Sequence, residues 1–152
     1  AFMRHSDAPG GVGDPVGFRL EDCATQRNLS EEGRAQARRT AEALRRNGVS
    51  FDRVLTSPWC RCRETAELAT GRQAEDMDAL SNLVGRQEHR ASQVATLKAY
   101  LGKLEPGART LLVTHGIVIA ALLGINPAQG EMVVVRAGDG GEPAVATRLR
   151  VD

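Results

Sequence analysis

Aromatic residues are scarce in this chain: one Trp, one Tyr and three Phe among 152 residues, 3% in all. A core must therefore be built from Leu, Val and Ala, which still leaves an ordinary globular apolar content of 41%. There is no excess of either charge, with 20 basic against 19 acidic side chains and a net of +1. That balance speaks against a dedicated nucleic-acid or membrane-surface protein. Long apolar runs are also missing, since the longest, Ile117 to Leu123, is far short of a bilayer span and excludes membrane insertion there. Three cysteines, Cys23, Cys60 and Cys62, are too few for a disulfide scaffold, and Cys60-x-Cys62 is too short for the usual zinc spacing. Free buried thiols are the default reading. One bridge from Cys23 to Cys60 or Cys62 is the alternative, and it would require an oxidising compartment.

The length suits one domain over residues 1–152. Residues 1–5 read as the end of a strand. Only Ala1, Phe2 and Met3 precede Arg4-His5, where a strand ordinarily has about five or six residues. Upstream sequence is therefore expected, and an export signal could have stood there. Ser6 to Asn28 is rich in Gly, Pro and Asp, a turn-forming connection long enough to be functional. Leu29 to Gly48 has a complete helix grammar. Ser30 is the N-cap, Glu31 and Glu32 lie at the positive end, Arg45 and Arg46 at the negative end, and Asn47-Gly48 supplies the stop. Phe51 to Thr56 reads as a strand, Pro58 to Thr70 as a second helix ended by Gly71, and Met77 to Leu80 as a short strand. Val94, Leu97, Leu101 and Leu104 mark a third helix. Thr110 to Thr114 is a buried strand, Gly116 to Leu123 a short helix, and Met132–Arg136 with Val145–Val151 a closing pair of strands. The alternation predicts an α/β fold, a three-layer sandwich with a mainly parallel central sheet flanked by helices.

In such sheets ligands bind beyond the carboxyl ends of the strands. His5, Ser57 and His115 each directly follow a predicted strand, so three segments converge on one edge. The result is a pocket of two imidazoles, His5 and His115, and two guanidiniums, Arg4 and Arg61. Guanidinium keeps its charge and presents a planar fork to two oxygens, as phosphate binding requires. A nucleophilic His5 needs one nitrogen free and the other fixed by a partner, for which a backbone carbonyl of the Gly-rich loop is the natural candidate. His115 opens a helix at Gly116, where free N–H groups add to anion binding. Its expected role is to donate a hydrogen bond to the transferring group.

Four segments carry a resemblance. Met3-Arg4-His5-Ser6, Leu29-Ser30-Glu31-Glu32-Gly33-Arg34-Ala35-Gln36-Ala37, Ser57-Pro58 with Arg61 and Glu64-Thr65-Ala66, and Leu112-Val113-Thr114-His115-Gly116 together resemble the histidine phosphatase superfamily, the phosphoglycerate-mutase-like group. The resemblance implies a small bacterial phosphatase in which His5 becomes phosphorylated while Arg4, Arg61 and His115 hold the phosphoryl group, with Gly116 in the binding site. It implies no metal and no cofactor. Two departures stand out. Ser6 replaces the family glycine, which would cost something if that position needs positive φ. The general acid that alkyl phosphates require has no clear match, and Glu88 is the candidate, with Asp7 as the rival. Without an acid, phosphohistidine or acyl phosphates become the favoured substrates.

The expected substrate is accordingly a phosphorylated small molecule or a phosphorylated protein, with no nucleic-acid partner. The first reading is a phosphomonoesterase; a phosphohistidine protein phosphatase and a non-catalytic phosphate-binding module are the alternatives. The family's mutases carry closing insertions for which 152 residues leave little room. A metal-binding protein using His5, His89, His115 and the cysteines is a further option. Finally, Asp22 to Ser30 and Trp59-Cys60-Arg61-Cys62 resemble segments of exported bacterial members, some proposed to act on phosphorylated cell-envelope sugars. That resemblance favours a periplasmic location and suits a Cys23 bridge.

Overall fold

A computed structural model describes residues 1–152. Ten regular elements follow one another: β1 (Phe2–Arg4), α1 (Glu31–Arg46), β2 (Arg53–Thr56), α2 (Cys60–Thr70), β3 (Glu75–Asp76), α3 (Arg90–Gly102), β4 (Thr110–Thr114), α4 (Gly116–Leu123), β5 (Met132–Ala137) and β6 (Pro143–Leu149). The strands form one sheet in the order β3-β2-β4-β1-β5-β6. The pairs β3–β2, β2–β4 and β4–β1 are parallel; β5 runs antiparallel to both β1 and β6. The mainly parallel three-layer sandwich is thus as expected, with β5 the one reversed strand.

Both faces of the sheet are covered, which explains the unbroken apolar run of β4. Alternate residues enter opposite cores. Phe2, Leu55, Leu112 and Val133 join Leu97, Leu101, Val118 and Ile119 on one side. Met3, Val54, Leu111, Val113 and Met132 join Trp59, Cys62, Ala66 and Ala69 on the other. No helix is long and apolar enough to cross a membrane.

Ser30 caps α1 by accepting from the Gly33 amide at 2.9 Å, and Gly71 ends α2 in the left-handed region. The expected strand at Met77–Leu80 is corrected: the strand is Glu75–Asp76, and Asp78–Leu80 is a 3₁₀ turn. The carbonyls of this turn region serve side chains rather than a ladder. Gln93 donates to the oxygens of Ala79 and Ser81, and Thr114 donates to that of Leu80. The cysteines divide. Cys23 and Cys60 form a disulfide, which corrects the default of free thiols and selects Cys60 over Cys62, while Cys62 is a free, buried thiol. The bridge ties the 6–28 loop to the first residue of α2, next to Arg61.

Candidate active site

Parallel register brings the predicted residues abreast. Arg4 pairs with Thr114 across β1 and β4, and Thr56 pairs with Val113 across β2 and β4. His5 and Ser57, each one residue beyond its strand, are anchored by amide bonds of 2.9 Å to the carbonyls of Thr114 and Val113. The rings of His5 and His115 consequently lie edge to face, with centroids 5.5 Å apart.

The His5 Nδ1 lies 2.9 Å from the carbonyl oxygen of Ser6. A carbonyl only accepts, so Nδ1 carries the proton and Nε2 keeps its lone pair. Burial, with help from the charges of Arg61, Arg4 and Arg27 and against the Ser6 bond, pushes the His5 pKa down to about 3. Burial first, and then His5 and the same arginines, also hold His115 neutral. Its Nε2 meets Ser57 Oγ at 2.8 Å and its Nδ1 faces Arg61 Nη2 at 3.5 Å. Guanidinium can only donate, so His115 in this arrangement accepts at Nδ1 and donates from Nε2 to Ser57.

The residues around the histidines explain the motifs. Thr65 accepts from the Ser6 amide at 3.0 Å and donates to the Arg61 carbonyl, joining the loop after His5 to α2. Gln36 accepts from the Asp7 amide and donates to the Gln129 carbonyl. Gly33 is required because a Cβ there would stand 2.1 Å from the Asp7 carbonyl oxygen. Gly116 lets Arg4 lie close, since a Cβ would meet its guanidinium at 3.2 Å. No non-glycine residue has positive φ, so Ser6 occupies the family's glycine position without backbone strain.

Together these groups line a cavity of about 170 Å³, walled by Arg4, His5, Arg27, Arg61, Asn82, His115, Gly116 and Asn126, with Gly11, Val12, Gly13, Val84 and Ile117 at its edge. A larger groove, about 430 Å³ between α1 and α2, is lined by residues such as Leu44, Phe51 and Val54 and holds no imidazole. Size does not identify the chemistry here; the convergence of cations and imidazoles does.

Solved structures share this fold over nearly the whole chain. A protein histidine phosphatase SixA complexed with tungstate is 23% identical, covers 98% of this chain and 94% of its own, and superposes with a TM-score of 0.66. TTHB049 from Thermus thermophilus is 22% identical, with 98% and 97% covered and a TM-score of 0.67. A phosphoserine phosphatase from Entamoeba histolytica in complex with phosphoserine is 15% identical, with 97% and 94% covered and a TM-score of 0.60. At these identities the likeness is one of fold. No curated protein matches the sequence. The family profile described as histidine phosphatase superfamily (branch 1) matches residues 22–91, the stretch that carries α1, α2 and Arg61. Over that stretch the chain is similar to the histidine phosphatase superfamily.

Of the residues read from the sequence, the fold brings His5, His115, Arg4, Arg61 and Gly116 together. It does not bring in Glu88, whose side chain is 68% exposed on a 3₁₀ turn, paired with His89 and outside the cavity. Asp7 also turns away, accepting from the Ser30 hydroxyl. Nor do His89 and the bridged Cys23 and Cys60 join the two site histidines; Cys62 Sγ lies 3.6 Å from His115 Nε2, but no group of three metal-ligating side chains forms.

Two site residues escaped the sequence. Arg27 is a third guanidinium in the cavity wall, held by the carbonyls of Ala8 and Gly11. Asp14 occupies the fork of Arg61, at 2.7 Å from Nη1 and 3.3 Å from Nη2. Burial alone would raise the Asp14 pKa, but the Arg61 hydrogen bond and charge outweigh it and the net shift is downward. The fork of Arg61, read from the sequence as a phosphate ligand, is thus engaged by a carboxylate within the fold. The available signal was modest: Arg27 directly precedes the Asn28-Leu29-Ser30 motif, and Asp14 lies in a loop too long to be a mere connection.

Proposed function

We propose that this protein is a phosphatase acting through a phosphohistidine on His5. The observation that carries the reading is the His5 tautomer: Nδ1–H is bound to the Ser6 carbonyl, leaving a proton-free Nε2 in a cavity with three guanidiniums. In the first step Nε2 attacks phosphorus, the P–N bond forms, and the bond from phosphorus to the leaving group breaks with its electron pair. Water then attacks the phosphohistidine; the P–N bond breaks, the water proton is released, and inorganic phosphate leaves. Arg4, Arg27 and Arg61 stabilise charge on the equatorial oxygens. Their donors support this role: the buried Nε atoms of all three, together with Ser6 Oγ, have no protein hydrogen-bond partner. Phosphate oxygens are the acceptors such a set lacks. His115, accepting from Arg61 Nη2 at Nδ1 and bonded to Ser57 at Nε2, orients the Arg61 guanidinium beside the phosphoryl site.

The substrate class follows from what lines the cavity. None of its residues is a carboxylic acid. Phosphomonoesters with good leaving groups, and phosphohistidine on another protein, need little protonation on departure. A protein histidine phosphatase among the fold relatives is consistent with the second of these. We further propose an oxidising compartment, the periplasm, on the support of the Cys23–Cys60 disulfide.

The test is hydrolysis of p-nitrophenyl phosphate in EDTA, with His5→Ala alongside. Turnover should fall by roughly 10⁴-fold or more in the variant, as for loss of a nucleophile, while phosphate binding persists. Retained activity would remove His5 as nucleophile. Phosphoserine and a phosphohistidine peptide in the same assay separate the substrate classes, with the peptide expected to be faster. No turnover of any of the three by the wild type would leave a phosphate-binding module.

A further inference from the structure

The proposed reaction makes no use of Asp14, yet this carboxylate is among the most heavily bonded groups near the pocket. Its side chain is 2% exposed and lies against an Arg61 that is fully buried. Besides its two contacts with Arg61, Oδ1 accepts from the Arg27 amide at 3.1 Å and Oδ2 from Trp59 Nε1 at 2.9 Å. Arg61 Nη1 also donates to the Arg27 carbonyl at 3.1 Å. Asp14 itself is not part of the cavity wall. It stands behind Arg61 and is bonded to both ends of the unit formed by Arg61 and Arg27.

Charge gives this arrangement a purpose. Arg4, Arg27 and Arg61 bring three positive charges to the cavity, and Asp14 subtracts one, leaving two. A phosphate monoester near pH 7 carries about two negative charges, as does inorganic phosphate for the most part. A cradle with three uncompensated cations would bind the product more tightly than turnover favours. We propose that Asp14 is a positioning residue that sets Arg61 and Arg27 as phosphate ligands and lowers the cradle to two net positive charges, so that product phosphate is released. This rests on the phosphatase reading above, because it assumes that phosphate is what the cavity binds.

Asp14→Asn tests it, since the amide keeps the shape and acceptor oxygen while removing the charge. Inorganic phosphate is titrated calorimetrically into the full-length, disulfide-bonded wild type and variant, and its inhibition constant is measured in the same buffer. Binding should become roughly tenfold tighter in Asp14→Asn, with KM and kcat for p-nitrophenyl phosphate both falling as release slows. Unchanged or weaker phosphate binding in a folded variant would overturn the proposal, because a merely structural ion pair gives no gain in affinity. Arg27→Gln supplies a second test that stands even if Asp14→Asn does not fold. It should weaken phosphate binding roughly tenfold in the folded variant, and unaltered affinity would count against the proposal. Combining the two substitutions should restore affinity to near the wild-type value. Failure of the wild type to bind phosphate at all would instead remove the phosphate-site reading itself.

Discussion

Two halves of the pocket are held in place by different physics. The histidines belong to the strand half. They follow adjacent parallel strands, and backbone bonds such as His5 N to Thr114 O fix them directly. Asp14 and Arg27 belong to the loop half, on residues 6–28, where no sheet ladder exists. That half is held by side chains: Arg27 to the carbonyls of Ala8 and Gly11, Gln26 to the Cys60 amide, Asp14 to Arg61, and the Cys23–Cys60 bridge. A ladder positions a residue by repeating one local bond. A loop of this kind needs several distant partners to be present at once, and it can be loosened by removing one of them.

The largest way to break the comparison is therefore to remove the bridge. Cys23 and Cys60 are 37 residues apart, a loop whose closure is worth about 4 kcal/mol in the chain-entropy account. Replacing both by Ser should cost about that much in chemical denaturation. Hydrogen exchange should accelerate first in residues 6–28 while β1 and β4 stay protected. Equal acceleration in both halves would show that they are one cooperative unit.

Arg61 is the joint between the halves, bonded to Asp14 and Arg27 on one side and facing His115 on the other. A lysine presents a single point charge and cannot serve both sides. Arg61→Lys should lower kcat/KM by roughly 10²-fold with a smaller change in stability. Near-normal kinetics would place Arg61 outside the working site.

The same division explains what could be read from the sequence. Strand ends and the helix from Pro58 to Gly71 have local signatures, and the residues they carry, Arg4, His5, Arg61 and His115, were legible with them. Asp14 has no such signature, because an Asp before Pro15 in a Gly-rich segment reads as a turn residue. Its meaning comes from Arg61 and Trp59, more than forty residues away. Glu88 was reached by elimination within a segment lacking periodicity, and it proved to be a solvent-facing carboxylate. The choice between Cys60 and Cys62 did have a usable signal. Cys62, Ala66 and Ala69 form the helical stripe that packs on the sheet, which leaves Cys60 on a different face of α2, the one bonded to the loop.

The smallest effect, and the sharpest probe of the strand half alone, is protonation. His5 is held near pKa 3 and His115 is also depressed, whereas an imidazole in the unfolded chain titrates near 6.5. Below that value the unfolded chain binds protons that the folded one refuses. The stability these two groups contribute is thus complete above about pH 6.5 and drains away as pH falls toward 3. Between pH 7 and 5, where ordinary carboxylates remain ionised, the imidazoles contribute to any loss of stability on acidification. In His5→Ala the loss over that interval should shrink by roughly 2 kcal/mol, read as the difference between denaturant midpoints at the two pH values. An identical loss in the variant would mean that His5 titrates in the folded protein as it does in the unfolded chain, and that burial does not depress it.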